Sequence, residues 1–196
     1  MLHVIVTVYK RTENIKVLIE SFLVQTNPNW QMYILHDGPA PEKLKSNIKR
    51  YCDEPRISFF ELPKCKDKWG NGIRFLGLNM IVDGSDNSFI LVTNDDNYYV
   101  PDFVDIVLKE AAKPKVGLIY YDFVHHYNYE VMKSRLKVNY IDMGAFIVNV
   151  RLAEKVKFYH IEEGGADGMF AEDCKRECER QGINTIYIPK VLFVHN

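Results

Sequence analysis

Short runs of apolar and β-branched residues recur at positions 4–8, 32–35, 56–62, 89–93 and 116–121, and each stops at polar or charged positions. Such runs read as strands, and the unbroken Phe89-Ile90-Leu91-Val92-Thr93 fits a strand buried on both faces of a parallel sheet. Between them the period changes. Ile15, Leu18, Ile19, Phe22 and Leu23 have the i, i+3, i+4, i+7, i+8 spacing of a core-facing helix; Thr12 is placed to cap it and Asn27-Pro28-Asn29 to stop it. After Pro41 a second helix sets Leu44, Ile48, Tyr51 and Cys52 on one face. A third turns Ile73, Leu76, Met80 and Ile81 inward and closes at Asp83-Gly84-Ser85, and a fourth follows Pro101 with Phe103, Ile106 and Val107 inward. This alternation predicts right-handed crossovers and a mostly parallel central sheet with helices on both faces.

Beyond Lys113-Pro114 the alternation loosens. The residues from His125 to Tyr129 form an aromatic loop, and Leu136-Lys137-Val138-Asn139-Tyr140 alternates like a half-exposed strand. Residues 144–150 are apolar again, a short helix is expected at 152–156, and the acidic loop Ile161-Glu162-Glu163-Gly164-Gly165-Ala166-Asp167 leads into a helix ending at about Gln181, with Gly182 as its C′ residue. Two strands, 185–188 and 191–194, close the chain. The expectation is a single α/β domain over 1–196 with a smaller, mixed C-terminal half.

The 196 residues suit one full core, and 47% hydrophobic with 26% charged residues is ordinary globular composition. A formal net charge of −1 gives no electrostatic basis for nucleic-acid binding. No window approaches the ~18 apolar residues of a membrane span, and no signal-peptide pattern opens the chain. A cytosolic location follows as an expectation, compatible with peripheral attachment at a membrane. Cys52, Cys65, Cys174 and Cys178 lack the spacing of a disulfide framework and read as structural thiols in a reducing compartment.

The chemistry concentrates where the strand at 89–93 ends, in Asn94-Asp95-Asp96-Asn97. Open α/β sheets bind ligands beyond the carboxyl ends of their strands, and successive side chains in extended backbone point opposite ways, so two adjacent carboxylates can hold different parts of one ligand. A hard divalent cation that carries substrate phosphates needs only one or two of them. On the residues alone, the same stretch also fits a solvated turn.

Several fragments in a fixed order resemble glycosyltransferase family 2, a GT-A group using nucleotide-sugar donors. They are Val6-Thr7-Val8-Tyr9-Lys10-Arg11, Gln25-Thr26-Asn27-Pro28-Asn29-Trp30, Leu35-His36-Asp37-Gly38, Asn71-Gly72-Ile73-Arg74, Asn94-Asp95-Asp96-Asn97 with Pro101-Asp102-Phe103, Met143-Gly144-Ala145-Phe146 and Ala171-Glu172-Asp173. The resemblance implies a GT-A-like domain in which residues 1–100 bind the nucleotide sugar and residues 101–196 carry the acceptor side and the catalytic base. It implies an inverting, metal-dependent transfer from a nucleoside-diphosphate sugar, a UDP-sugar above all, to a glycan or lipid-linked acceptor.

By the same resemblance, Thr7 and Tyr9 line the base, and Asp37 accepts a hydrogen bond from the uracil imide, chemistry that an acceptor-only carboxylate can supply. Asp37-Gly38 equally fits a local turn. Arg74 contacts the nucleotide or a phosphate, Asp95 the ribose, and Asp96 ligates Mn²⁺ or Mg²⁺. Many members carry a further acid one or two residues earlier, where this chain has Thr93 and Asn94; His195 is the candidate replacement ligand. Asp173 is the expected base and Glu172 its main rival, with Glu162, Glu163 and Asp142 behind them. A helix N-terminus would stabilise the Asp173 carboxylate. Trp69, Tyr98, Tyr99, His125, His126, Tyr127 and Tyr129 offer ring faces suited to sugars, none assigned to the acceptor.

Two other classes compete. A sugar-phosphate nucleotidyltransferase wants a glycine-rich loop after its first strand, and Thr7-Val8-Tyr9-Lys10-Arg11-Thr12 contains no glycine. A nucleotide-sugar binding module without turnover is compatible with the thinned acidic motif, and a functional catalytic base is what separates the two.

Overall fold

The computed structural model describes residues 1–9, 11–65, 70–81, 87–159, 162 and 164–196. Its N-terminal strands are β1 (Leu2–Val8), β2 (Trp30–Asp37), β3 (Ile57–Leu62) and β4 (Phe89–Asn94), lying side by side in the order β3-β2-β1-β4, all parallel. β1 and β4 are buried almost throughout, as their unbroken apolar sequences require. The chain steps from β1 to β2 on one side and returns to β4 on the other. That reversal opens a crevice at the carboxyl ends of β1 and β4.

Four helices connect these strands and lead out of them: α1 (Ile15–Leu23), α2 (Glu42–Lys49), α3 (Asn71–Met80) and α4 (Phe103–Ala111). Helix α1 begins after Asn14 rather than at Thr12, and it buries Ile15, Leu18, Ile19 and Phe22 as its spacing predicts. In α3 the buried face differs from the expected stripe. Met80 is exposed and Leu76 only partly covered, whereas Ile73, Arg74, Gly77 and Leu78 are buried. Gly77 is the reason. A Cβ there would lie 2.6 Å from Leu35 and 2.7 Å from Ile5, so the helix rests on the sheet through its glycine. Cys52, placed on the inner face of α2 by its spacing, is exposed. The expected close of α3 at Asp83-Gly84-Ser85 lies outside the described residues.

The second half adds β5 (Tyr98–Tyr99), β6 (Val116–His125), β7 (Val131–Met132), β8 (Phe146–Asn149) and β9 (Asn184–His195), with α5 (Val150–Val156) and α6 (Ala166–Gln181). Beyond β4 the sheet continues as β8-β6-β9-β5. β8 runs antiparallel to both β4 and β6, and β9 is parallel to β6, so this half is mixed. Two expectations fail locally. Residues 136–140 form turns, with Asn139 at φ 67° and Val138 N–H donating 2.9 Å to Glu172 Oε1; β7 takes the pairing on β6 instead. The two closing strands are one, because Pro189 and Lys190 are skipped as an irregularity in the β6–β9 ladder and do not end it.

An aromatic cluster ties the halves together. Tyr99 packs 5.3 Å from Phe22, 4.6 Å from Phe103 and 5.2 Å from Phe193, ring centre to ring centre. All four rings are fully buried, and at this size each contributes on the order of 2–3 kcal/mol of burial free energy. Cys174 and Cys178 are buried free thiols on the inner face of α6. Among the described residues, no helix is long and apolar enough to cross a membrane.

Candidate active site

The register of the parallel strands sets the site. Thr7 pairs with Leu35 on one side and Asn94 on the other, and Val8 pairs with His36. Thr7, Asp37 and Asp95 therefore reach the same edge of the sheet at the same level. There a cavity of about 880 Å³ is lined by Thr7, Tyr9, Asp37, Arg74, Asp95, Asp96 and His195, together with Arg11, Asn94 and Asn196. Residues far apart in sequence, singled out by their fragments, converge on one space.

The acidic turn after β4 is held from behind. Tyr99 Oη, carried by β5, donates to Thr93 Oγ1 at 2.9 Å or to Gly144 O at 3.0 Å, and Asn97 Nδ2 donates to Thr93 Oγ1 at 2.9 Å. This scaffold buries both carboxylates, leaving Asp95 5% and Asp96 4% exposed. Asp96 is balanced by an ion pair with Arg11, whose own side chain is more than half exposed. Among the described residues Asp95 has no such partner. Its buried Oδ2 makes no hydrogen bond, and burial, opposed in part by the Arg11 charge, pushes its pKa up to about 7.

Asp37 is partly engaged already. Its Oδ1 accepts from Cys65 N–H at 2.7 Å, which leaves the carboxylate further acceptor capacity. Gly38 follows at φ 83°, a conformation that suits glycine.

A polar network lies beneath the other wall. Buried Arg74 donates to Asn71 Oδ1 (2.9 Å), Asp167 Oδ1 (2.9 Å) and Asn94 Oδ1 (3.0 Å). Asn94 thus uses its amide oxygen on this arginine. Asp167 also accepts from Met143 N–H at 3.2 Å. Asp142 accepts from Gly144 N–H at 2.7 Å and faces His195 Nε2 at 3.3 Å. Burial raises the pKa of Asp167 against the pull of Arg74, with the Asp142 charge adding to the rise. Burial would do the same to Asp142, but His195 and the Gly144 N–H outweigh it and hold that carboxyl below its usual range. His195 responds in kind: burial opposes its charge, Asp142 more than compensates, and its pKa is raised.

The structure sets the two leading base candidates apart from this cavity. Asp173 is the eighth residue of α6, about one turn beyond the first turn over which the helix dipole acts, and, half-buried, pairs with Arg176. Glu172 lines a separate groove with Tyr120, Arg135 and Lys175 and caps the Val138 N–H. The acid in the first turn of α6 is Asp167. Sequence reasoning passed over it and over Arg11, although an acid two residues after Gly164-Gly165 at a helix start was a usable signal. Glu162 is exposed; Glu163, Lys10 and Trp69 lie outside the described residues.

The site suits a divalent cation only in company with a phosphate ligand. Among the described residues no cluster of three or more His, Cys, Asp or Glu side chains could hold a metal ion. Asp96 offers one buried carboxylate. His195, with Nε2 on Asp142, keeps a buried Nδ1 that has no hydrogen-bond partner, an arrangement in which the carboxylate orients the imidazole and frees the other nitrogen for a cation. Two protein ligands are sufficient where a diphosphate supplies the rest.

Fold and site together define an α/β protein with an acid-lined ligand cavity at the topological switch point of its sheet. The Glycosyl transferase family 2 model matches residues 3–162, and the chain belongs to that family. Solved structures agree on the fold. TarS from S. aureus (residues 1–349) superposes with a TM-score of 0.78 at 13% identity, covering 100% of this chain and 60% of that one. The same protein in complex with UDP-GlcNAc gives 0.77 at 13% identity, covering 99% and 58%. The mannosyltransferase PcManGT from Pyrobaculum calidifontis, in complex with GDP-Man and Mn²⁺, gives 0.73 at 16% identity, covering 99% and 56%. The chain thus spans less than two thirds of the length of these relatives.

Proposed function

We propose that this chain transfers a sugar, with inversion, from a nucleoside diphosphate sugar to an acceptor hydroxyl on a glycan or lipid-linked molecule, a UDP-sugar being the favoured donor. The observation that carries this reading is the convergence of Thr7, Tyr9, Asp37, Asp95, Asp96 and His195 on one cavity at the end of β1, β2 and β4. Thr7 and Tyr9 flank the base and Asp37 accepts its imide N–H. Asp95 accepts from a ribose hydroxyl, which satisfies the unpartnered Oδ2. Asp96 and His195 hold Mn²⁺ or Mg²⁺, which would offset the charge of the departing diphosphate.

For the base, geometry favours Asp167 over Asp173. Asp167 sits at the start of α6 against Arg74 and Met143, next to groups that line the cavity. Burial raises its pKa against the pull of Arg74, which strengthens it as a proton acceptor. The acceptor oxygen forms its bond to the anomeric carbon as the bond from that carbon to the diphosphate breaks, and the hydroxyl proton passes to Asp167. Arg74 positions this carboxylate through its Nη groups, which donate to Asp167, Asn71 and Asn94, while its buried Nε has no hydrogen-bond partner among the described residues.

The test is nucleoside diphosphate release from a panel of nucleotide sugars and acceptors. Asp167→Asn should retain UDP affinity and lose transfer, about 10²–10⁴-fold for a general base, while Asp173→Asn should stay near wild type. The reverse pattern restores Asp173 as the base, and a wild-type chain that binds UDP-sugars without transfer across the panel identifies a binding module.

A further inference from the structure

An aromatic ramp leaves the donor cavity. His195, on the cavity wall, meets the His125 ring edge-on at 4.9 Å, and Tyr127 lies tilted over His125 at a further 4.9 Å. His126 packs edge-on against Tyr127 at 5.5 Å. The outer rings are open to solvent: Tyr127 is 65% exposed and Tyr129, in the same β6–β7 turn, 82% exposed. These rings add nothing to the core, which is why their clustering at the mouth of a cavity asks for a ligand.

The turn that carries them is fixed. His126 N–H donates to His195 O at 3.0 Å, Tyr129 N–H to His125 O at 2.9 Å, and Asn128 accepts from Glu130 N–H at 3.1 Å while its amide donates to Glu130 at 3.0 Å. The tip is therefore pinned to the end of β9, the strand whose last residues line the cavity. A preorganised platform loses little entropy on binding.

We propose that the 125–129 turn is the acceptor subsite and that its occupant is an uncharged pyranose unit of a glycan, stacked on Tyr127. This inference rests on the donor reading given above. Tyrosine and histidine rings combine an apolar face with a polar rim, matching a sugar, which has apolar C–H faces and a rim of hydroxyls. A lipid tail would call for aliphatic side chains in place of hydroxyl-tipped rings, and Val131 is the one exposed aliphatic of the hairpin. An acidic acceptor would call for cations, and residues 125–131 contain no Lys or Arg.

Tyrosine-labelled protein saturated with UDP and Mg²⁺ is to be titrated with chitotetraose, cellotetraose, laminaritetraose and maltotetraose, the Tyr127 ring signals being read by NMR. At least one oligosaccharide is expected to shift them. Tyr127→Leu should weaken binding of that oligosaccharide about five- to tenfold, Tyr127→Phe should retain it, and both should bind UDP as wild type does. No shift at Tyr127 with any of the four, or equal affinity in Tyr127→Leu, overturns the proposal. Loss of UDP binding by the wild-type chain, read in the same samples, would instead overturn the donor reading.

Discussion

Replacing Asp95 with asparagine removes a buried site carboxylate that, among the described residues, makes no ion pair. Its pKa rises from 3.8 to about 7 on folding, roughly three units, and at 1.36 kcal/mol per unit the folded state is penalised by about 4 kcal/mol once the group ionises. The sign follows from linkage. A raised folded-state pKa favours folding most below the unfolded pKa, and that advantage is lost as pH climbs through the folded value. Wild-type stability should therefore fall relative to Asp95→Asn by about 2–3 kcal/mol between pH 5 and pH 8. Urea denaturation of both proteins at several pH values, without nucleotide or metal, reads this directly. The amide adds a pH-independent offset, so the slope of the difference is the quantity to compare. A difference that stays flat from pH 5 to pH 8, or one that favours wild type as pH rises, would refute the reasoning.

Three further outcomes are expected. Asp96→Ala should abolish the Mn²⁺-dependent part of UDP affinity and leave the Mn²⁺-independent part, measured by calorimetry; unchanged dependence on Mn²⁺ removes Asp96 from the metal site. Arg74→Met strands Asp167 beside Asp142 and should cost about 3 kcal/mol in urea denaturation, as loss of one partner of a buried ion pair does. Gly168→Ala would place a Cβ 2.4 Å from the Val138 Cα, a backbone atom, so the 137–139 turn must shift. A loss of about 1–3 kcal/mol is expected, and a neutral variant would show that the turn gives way freely.

Much of this was legible in the sequence where a single period governs. β1, β4 and α1 each carry one clean hydrophobic pattern, and the crevice at the ends of β1 and β4 follows from their parallel order. The convergence of Thr7, Asp37, Asp95 and Asp96 on one cavity was legible for the same reason, since strand ends locate side chains in space. Reading failed where tertiary contact overrides pattern. Residues 136–140 alternate like a strand, yet the Glu172 carboxylate claims the Val138 N–H. The α3 stripe was misplaced because Gly77, which has no side chain to count, is the point of closest approach to the sheet. The sequence did not show where α6 begins: it starts at Ala166, which puts Asp167 in its first turn and Asp173 further along the helix.

The central claim is that the acidic cavity holds a nucleoside diphosphate together with a divalent cation. Calorimetric titration of UDP into the chain, with and without Mn²⁺, tests it most directly. Saturable binding that tightens with Mn²⁺ is the predicted result; heats indistinguishable from dilution under both conditions would contradict it.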